Sequence, residues 1–155
     1  MPREPYALAM SFKHSAADFG LKMMNRVHRA VLLVSRGRFG RQLMGMHAVE
    51  LHTTGRKSGE RRSVLLTAPI HDESRTVLVA SKGGDDRDPE WYKNLVAQPD
   101  VEVTIDGTTR RMHARTASPD EKAELWPQIV KAYKGYAGYQ KGTTRDIPVV
   151  ICEPS

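Results

Sequence analysis

Apolar residues at Phe19, Met23, Val27, Ala30, Val31 and Val34 recur at steps of three and four. Residues 15–35 are therefore predicted to form one helix with a single apolar stripe. Lys22, Arg26 and Arg29 flank the stripe. Such a helix has two uses. It can pack on the rest of the domain with its charges in water, or lie on an anionic membrane surface as a basic amphipathic helix. Residues 1–14 lack this period and are expected to be irregular.

After the connector SRGRFGRQLMG the period becomes strand-like. HAVELHTT, RSVLLTAPIH and TVLVASKGG read as three consecutive strands joined by hairpin turns. VEVTIDGTTRRMHAR reads as a further hairpin about Asp106-Gly107, and IPVVICE as a last strand. DRDPEWYKNLVAQPD reads as a short helix, with Asp88 suited to the N-cap and Pro89 to the first helical position. SPDEKAELWPQIVKAY opens on a capping box, Ser118 to Glu121, with Pro119 at its first position. Pro127 is expected to kink or restart that helix. The sum is an α+β domain over residues 15–155: an antiparallel sheet of about six strands, curled to a small barrel, with helices outside.

Composition narrows the setting. A chain of 155 residues is one domain, large enough to bury a core without disulfides or metals. The single cysteine, Cys152, forms no internal disulfide; in an apolar strand it reads as a buried small hydrophobe. One cysteine fits a reducing, cytoplasmic setting. No apolar run approaches the roughly 18 residues of a spanning helix. MPREPYALAM lacks the apolar stretch of a secretory signal.

The net charge is +6, but residues 1–66 carry 12 Lys and Arg against 4 Asp and Glu, and the remainder 12 against 14. The basic character thus lies in the first part. It could serve nucleic acid, a membrane surface or an anionic small ligand.

Candidate chemistry concentrates in three stretches. LHTTGRKSGERRSVLL places Arg56, Lys57, Arg61 and Arg62 on one turn with Gly55, Gly59 and Ser58. Glycines for close approach, a hydroxyl, and cations matching phosphate or carboxylate make an anion cradle. A solvated hairpin tip has the same composition. The Walker spacing is absent. ASKGGDDRDPEWY puts Ser81, Lys82, Gly83 and Gly84 between an apolar strand and a helix start, where N–H groups can face an anion or a carbonyl oxygen. An ordinary strand-to-helix loop reads alike. YKGYAGY repeats Tyr133, Tyr136 and Tyr139 every three residues, roughly on one face. That face could stack on a flat ligand or orient a substrate oxygen; packing beneath a surface helix is the equal alternative. The six histidines form no HExxH or Cys/His cluster, so no metal is expected. Side-chain chemistry is sparse while an anionic flat ligand is well provided for, which suits a protein whose cofactor performs the hard step.

In this order, TTGRKSGERR, ASKGG, PEWYKNLVAQPDVEV, YKGYAGYQ and IPVVICEP resemble the deazaflavin-dependent nitroreductase and quinone reductase family of actinobacteria. The resemblance implies a split β-barrel and coenzyme F420, a deazaflavin with a phosphate and an oligoglutamate tail. It implies that Arg56, Lys57, Ser58 and Arg62 hold the phosphate and acidic tail, and that Ser81, Lys82 and Gly83 lie against the ring. Trp91 and Tyr92 would border the site, with Tyr133, Tyr136 and Tyr139 on the substrate side. The implied reaction is hydride transfer to a quinone, with nitroimidazoles and nitroaromatics accepted incidentally. The basic helix would then meet a lipid-dissolved quinone at the inner face of the cell membrane. Ser63-Val64-Leu65 departs from the polar residue and proline that family members often carry there. The alternatives are a split barrel binding FMN or another flavin, and a basic nucleic-acid-binding module, against which the acidic second part of the chain speaks.

Overall fold

In the computed structural model, residues 42, 43 and 45–155 are described. The expected irregular segment, residues 1–14, and the expected helix, residues 15–35, lie outside them. The described residues belong to one compact unit, Gly40–Ser155.

Alternation of buried and exposed positions identifies β2, Met46–Thr54, and β7, Thr108–Thr116, as strands with one wet face. β5, Thr76–Val79, and the first four residues of β8, Val149–Pro154, are buried on both faces. Their apolar runs divide by parity. Leu78, Val150 and Cys152 enter a core with Val49, Leu51, Val101, Val103 and Met112. Val77, Val79, Val149 and Ile151 enter a second core with Leu125, Ile129 and Tyr136. These strands separate the first core, which Trp91 and Leu95 also enter, from the second, which lies beneath the helices that carry Leu125, Ile129 and Tyr136.

β3 is Arg61–Ala68 and β6 is Asp100–Ile105; two short strands, β1 at Gln42–Leu43 and β4 at Ile70–His71, complete the set. The sheet runs β1-β2-β6-β7-β8-β5-β4, with β3 also paired to β2. β3 and β5 pack side by side without pairing, so the barrel is split between them. The sheet has eight strands rather than about six. The stretch read as RSVLLTAPIH breaks at Pro69, which has no N–H for the ladder. A two-residue strand such as β1 is too short for a period to show. Asp106 and Gly107 have φ of 52° and 80°, the left-handed pair that a tight hairpin turn requires.

Three helices follow: α1, Glu90–Ala97; α2, Pro119–Ala132; and α3, Gly135–Lys141. The Ser118–Glu121 capping box forms as read, with Pro119 in the first turn. Two expectations are corrected. α2 runs on through Pro127 without restarting. The N-cap of α1 is Pro89, with no side-chain cap bond, and the Asp88 carboxylate instead pairs with Arg145 at 2.9 Å. A guanidinium in reach offers that carboxylate a stronger partner than a backbone N–H.

Candidate functional site

The turn between β2 and β3 closes through Gly55 N–H to Glu60 O (2.8 Å) and Gly59 N–H to Gly55 O (2.8 Å). Gly59 has φ of 70°, a left-handed position that suits glycine. A Cβ on Gly55 would stand 2.6 Å from Ser58 Oγ, so the tightness of the turn depends on that glycine.

The structure divides the four cations. Register places Arg61 opposite Thr54, on the outer face, where it pairs with Glu102 at 2.9 Å. Arg56 turns to α1: its guanidinium donates to Asn94 Oδ1 (2.9 Å) and pairs with Glu90 (2.8 Å), and its backbone N–H donates to Asn94 Oδ1 (3.2 Å). Asn94, 6% exposed, also donates to Thr53 Oγ1 at 3.4 Å. The Arg56 guanidinium holds the Glu90 carboxyl below its usual value against opposing desolvation. Arg62 pairs with Glu60 at 3.2 Å and lies 3.5 Å from Ser58 Oγ, a distance too long for a firm hydrogen bond. Lys57 is exposed and has no ion pair among the described residues.

The chain's own acids therefore answer three of the four charges. The pair at Arg62 is solvent-exposed, with side chains 58% and 69% accessible, and is easily exchanged for a multiply charged ligand. Arg56 is already fixed. The fixed Arg56, the exchangeable Arg62, the free Lys57 and the Ser58 hydroxyl suit a phosphate or carboxylate chain.

The second stretch forms a 3-10 turn, Lys82–Gly84, in which Lys82, Gly83 and Gly84 have φ of 47°, 64° and 85°. A Cβ on Gly84 would stand 3.1 Å from the Tyr139 carbonyl oxygen, so this turn lies against α3. A Cβ on Gly83 would meet nothing within 4 Å, leaving backbone open to a ligand. Ser81 is 9% exposed, and among the described residues neither its hydroxyl nor its N–H has a hydrogen-bond partner. A buried, unpaired donor of this kind fits a flat polar ligand at the turn.

The tyrosines pack on one another, with ring centroids 5.4 Å apart for Tyr133–Tyr136, 6.1 Å for Tyr136–Tyr139 and 6.3 Å for Tyr133–Tyr139. They differ in exposure. Tyr136 is 5% exposed, and its hydroxyl lies 3.1 Å from Thr67 Oγ1 on β3 and 3.8 Å from Met46 Sδ. Burial pushes its acidity down, raising the pKa against the Thr67 hydrogen bond. Tyr133 and Tyr139 are half-buried. A hydrogen bond with Tyr133, then burial, pushes the Tyr139 pKa up to about 12, so that hydroxyl stays protonated at neutral pH.

Trp91 and Tyr92 lie apart from the hairpin contacts. Trp91 packs in the interior core, and Tyr92 OH lies 2.9 Å from Thr116 Oγ1 on β7. The α1 residues that meet the hairpin are Glu90 and Asn94. Their four-residue spacing in PEWYKNLV, one face of a helix, was a usable signal. Thr67 and Arg145 carried none.

Topology gathers these parts. β5 returns antiparallel from β4 and packs alongside β3, and the turn that follows β5 packs against α3. Tyr136 meets β3 at Thr67. β3 thus has the basic hairpin at its start, Tyr136 near its end and β5 alongside, and the turn after β5 packs on the helix that carries the tyrosines.

A family model described as F420H(2)-dependent quinone reductase matches residues 23–154. An F420H(2)-dependent quinone reductase of Mycobacterium tuberculosis (strain ATCC 25618 / H37Rv) is 40% identical over 131 residues, covering 81% of this chain and 87% of the relative. A solved structure of an F420-H2 dependent reductase superposes with a TM-score of 0.63 at 40% identity, covering 68% of this chain and 93% of that one. A second, described as a domain-swapped dimer, gives the same TM-score of 0.63 at 40% identity, covering 68% and 79%. With its split barrel, its anion-suited hairpin and these likenesses, the chain belongs to the F420H(2)-dependent quinone reductase family and is an oxidoreductase whose cofactor is coenzyme F420.

Proposed function

We propose that this enzyme transfers a hydride from reduced coenzyme F420 to a quinone, and that nitroimidazoles and nitroaromatics are accepted incidentally. What supports this reading is the exchangeable charge of the basic hairpin at the start of β3, together with the Ser81 turn that packs on the tyrosine helix, whose Tyr136 meets β3 at Thr67. The name of the mycobacterial relative supports the choice of a quinone.

When bound, the reduced coenzyme supplies the hydride. The chain supplies position, charge and a proton donor. Arg56, fixed by Asn94 and Glu90, meets the phosphate or acidic tail without first losing side-chain freedom. Arg62 exchanges Glu60 for the ligand, and Lys57 and Ser58 add a charge and a hydroxyl. Ser81 offers its N–H and hydroxyl and Gly83 its open backbone to the ring, with Lys82 between them. Tyr136 is a support: its hydroxyl is tied to Thr67 within the core. The half-buried pair Tyr133 and Tyr139 faces the substrate; with the Tyr139 O–H donated to Tyr133, the Tyr133 hydroxyl keeps its own hydrogen to donate to the oxygen that gains charge. Trp91 and Tyr92 hold α1 in place behind the hairpin.

The test mixes purified protein with reduced coenzyme F420 and menadione and follows the absorbance of the oxidised deazaflavin. The reading expects protein-dependent oxidation, slower when a nitroimidazole replaces menadione. Reduced coenzyme that persists with menadione present contradicts it. Docking of residues 15–35 on lipid is a separate proposal, tested by co-sedimentation with anionic against neutral vesicles. Among the described residues, no helix is long and apolar enough to cross a membrane.

A further inference from the structure

Three consecutive left-handed residues, Lys82, Gly83 and Gly84, are an uncommon backbone path, and Lys82 follows it despite its Cβ. Ser81, at the N-cap, makes no side-chain bond to hold it. The turn's own backbone closes it through Gly84 N–H to Ser81 O (2.9 Å) and Asp85 N–H to Lys82 O (3.2 Å). A hold from outside comes from Arg145, in the segment between α3 and β8. Its Nε donates to Asp85 O at 2.8 Å. One terminal nitrogen donates to Ala80 O (3.1 Å) and Ser81 O (2.9 Å), and the other pairs with Asp88 Oδ1 (2.9 Å). The side chain is only 15% exposed. Arg145 is itself anchored: its carbonyl accepts from Gln140 Nε2 at 2.8 Å, and its N–H donates to Thr143 Oγ1 at 3.3 Å. Thr143 in turn donates to Asp86 at 2.9 Å.

This arrangement sets which way the turn faces. In a trans peptide the carbonyl and the following N–H point in opposite directions. The peptide bonds here are trans. With the Ala80 and Ser81 carbonyls drawn to the guanidinium, the N–H groups of Ser81 and Lys82 turn the other way.

We infer that Arg145 is a positioning residue for the coenzyme: by gripping the carbonyls of Ala80, Ser81 and Asp85 it fixes the left-handed turn against which the flat ring rests. The inference rests on the reading that residues 81–83 meet that ring. Arg145 acts through the backbone it holds, and only a planar fork of donors serves three carbonyls and a carboxylate together. A lysine keeps the charge facing Asp88 and loses the fork.

The experiment compares the full chain with Arg145→Lys and Asp88→Asn. Amide hydrogen exchange is read over residues 81–85 and over β2, β6 and β7, and coenzyme F420 is titrated by fluorescence. Arg145→Lys is expected to speed exchange over residues 81–85 roughly tenfold and to weaken coenzyme binding by a similar factor, about one hydrogen bond to a charged group. β2, β6 and β7 keep their protection. Asp88→Asn, which retains the carbonyl grip, is expected to change both by less than about twofold. Unchanged exchange over residues 81–85 in Arg145→Lys overturns the role of Arg145. A loosened turn with unchanged coenzyme affinity overturns the placement of the ring on residues 81–83, and the inference with it. Protection lost throughout the sheet marks Arg145 as a general staple of the fold and also overturns the inference.

Discussion

The two glycine-containing loops of the site are built on opposite plans. The hairpin at residues 55–62 is charged, exposed and closed by its own backbone through Gly55, Gly59 and Glu60. The turn at residues 81–85 packs against α3 at Gly84, is left-handed over three residues and is tied by Arg145, about sixty positions along the chain. The hairpin can change ion-pair partners without losing its shape. The turn closes through Gly84 N–H to Ser81 O (2.9 Å) and Asp85 N–H to Lys82 O (3.2 Å), and a distant side chain ties its carbonyls from outside. On the function proposed above, the hairpin would meet the long anionic chain, which needs exchangeable charge, and the turn the flat ring, which needs a fixed bed.

Glycine substitution gives the largest contrast. Gly84→Ala puts a Cβ at φ of 85° and within 3.1 Å of Tyr139 O and 3.2 Å of its Cα. It is expected to cost roughly 3 kcal/mol, combining left-handed strain with backbone overlap. Gly59→Ala, at φ of 70° with nothing within 4 Å, should cost only about 1–2 kcal/mol. Urea denaturation measures both, and equal losses would erase the distinction between a glycine packed on a helix and one with open space around it.

Charge removal comes next. Lys57→Ala is expected to lower coenzyme affinity by about 1–3 kcal/mol while leaving the melting temperature unchanged, since Lys57 has no ion pair among the described residues. Calorimetry and a fluorescence titration separate the two effects. Arg61→Ala should change stability by at most about 1 kcal/mol, the worth of its exposed pair with Glu102, and leave coenzyme affinity unaltered. A strong affinity loss would put Arg61 in the cradle and undo the division of cations by face.

The smallest effect follows pH. Arg56 holds the Glu90 carboxyl below its ordinary value of 4.5. A carboxylate with a depressed folded pKa contributes stability above its unfolded value and loses it as pH falls through the folded one. Glu90→Gln should therefore be slightly less stable than the parent at pH 7, by at most about 1 kcal/mol for an exposed pair. The difference should vanish as the solution is acidified well below 4.5. A difference that persists in acid would mean that Glu90 acts by packing.

Local patterns made most of the architecture legible. Alternation marked β2 and β7, and the capping box marked the start of α2. The continuous apolar runs TVLV and VVIC are explained only by the two cores on either side of β5 and β8. Within the site, residue type pointed to the hairpin, but only register could put Arg61 on the outer face and Arg56 against α1. Spacing grouped the three tyrosines, yet burial separated Tyr136 from Tyr133 and Tyr139. Arg145 was invisible because each of its turn contacts spans 57 positions or more. Asp88 was misread for the same reason: a distant guanidinium outcompeted the local cap.

On the proposed function, Lys57 and Arg62 of the hairpin hold the anionic part of coenzyme F420, and Arg61 on the outer face does not. The decisive measurement is a fluorescence titration of the coenzyme against the parent, a Lys57→Ala/Arg62→Ala double variant and Arg61→Ala. At least a roughly tenfold loss is expected for the double variant and parent-like binding for Arg61→Ala. Parent-like binding by the double variant would contradict it.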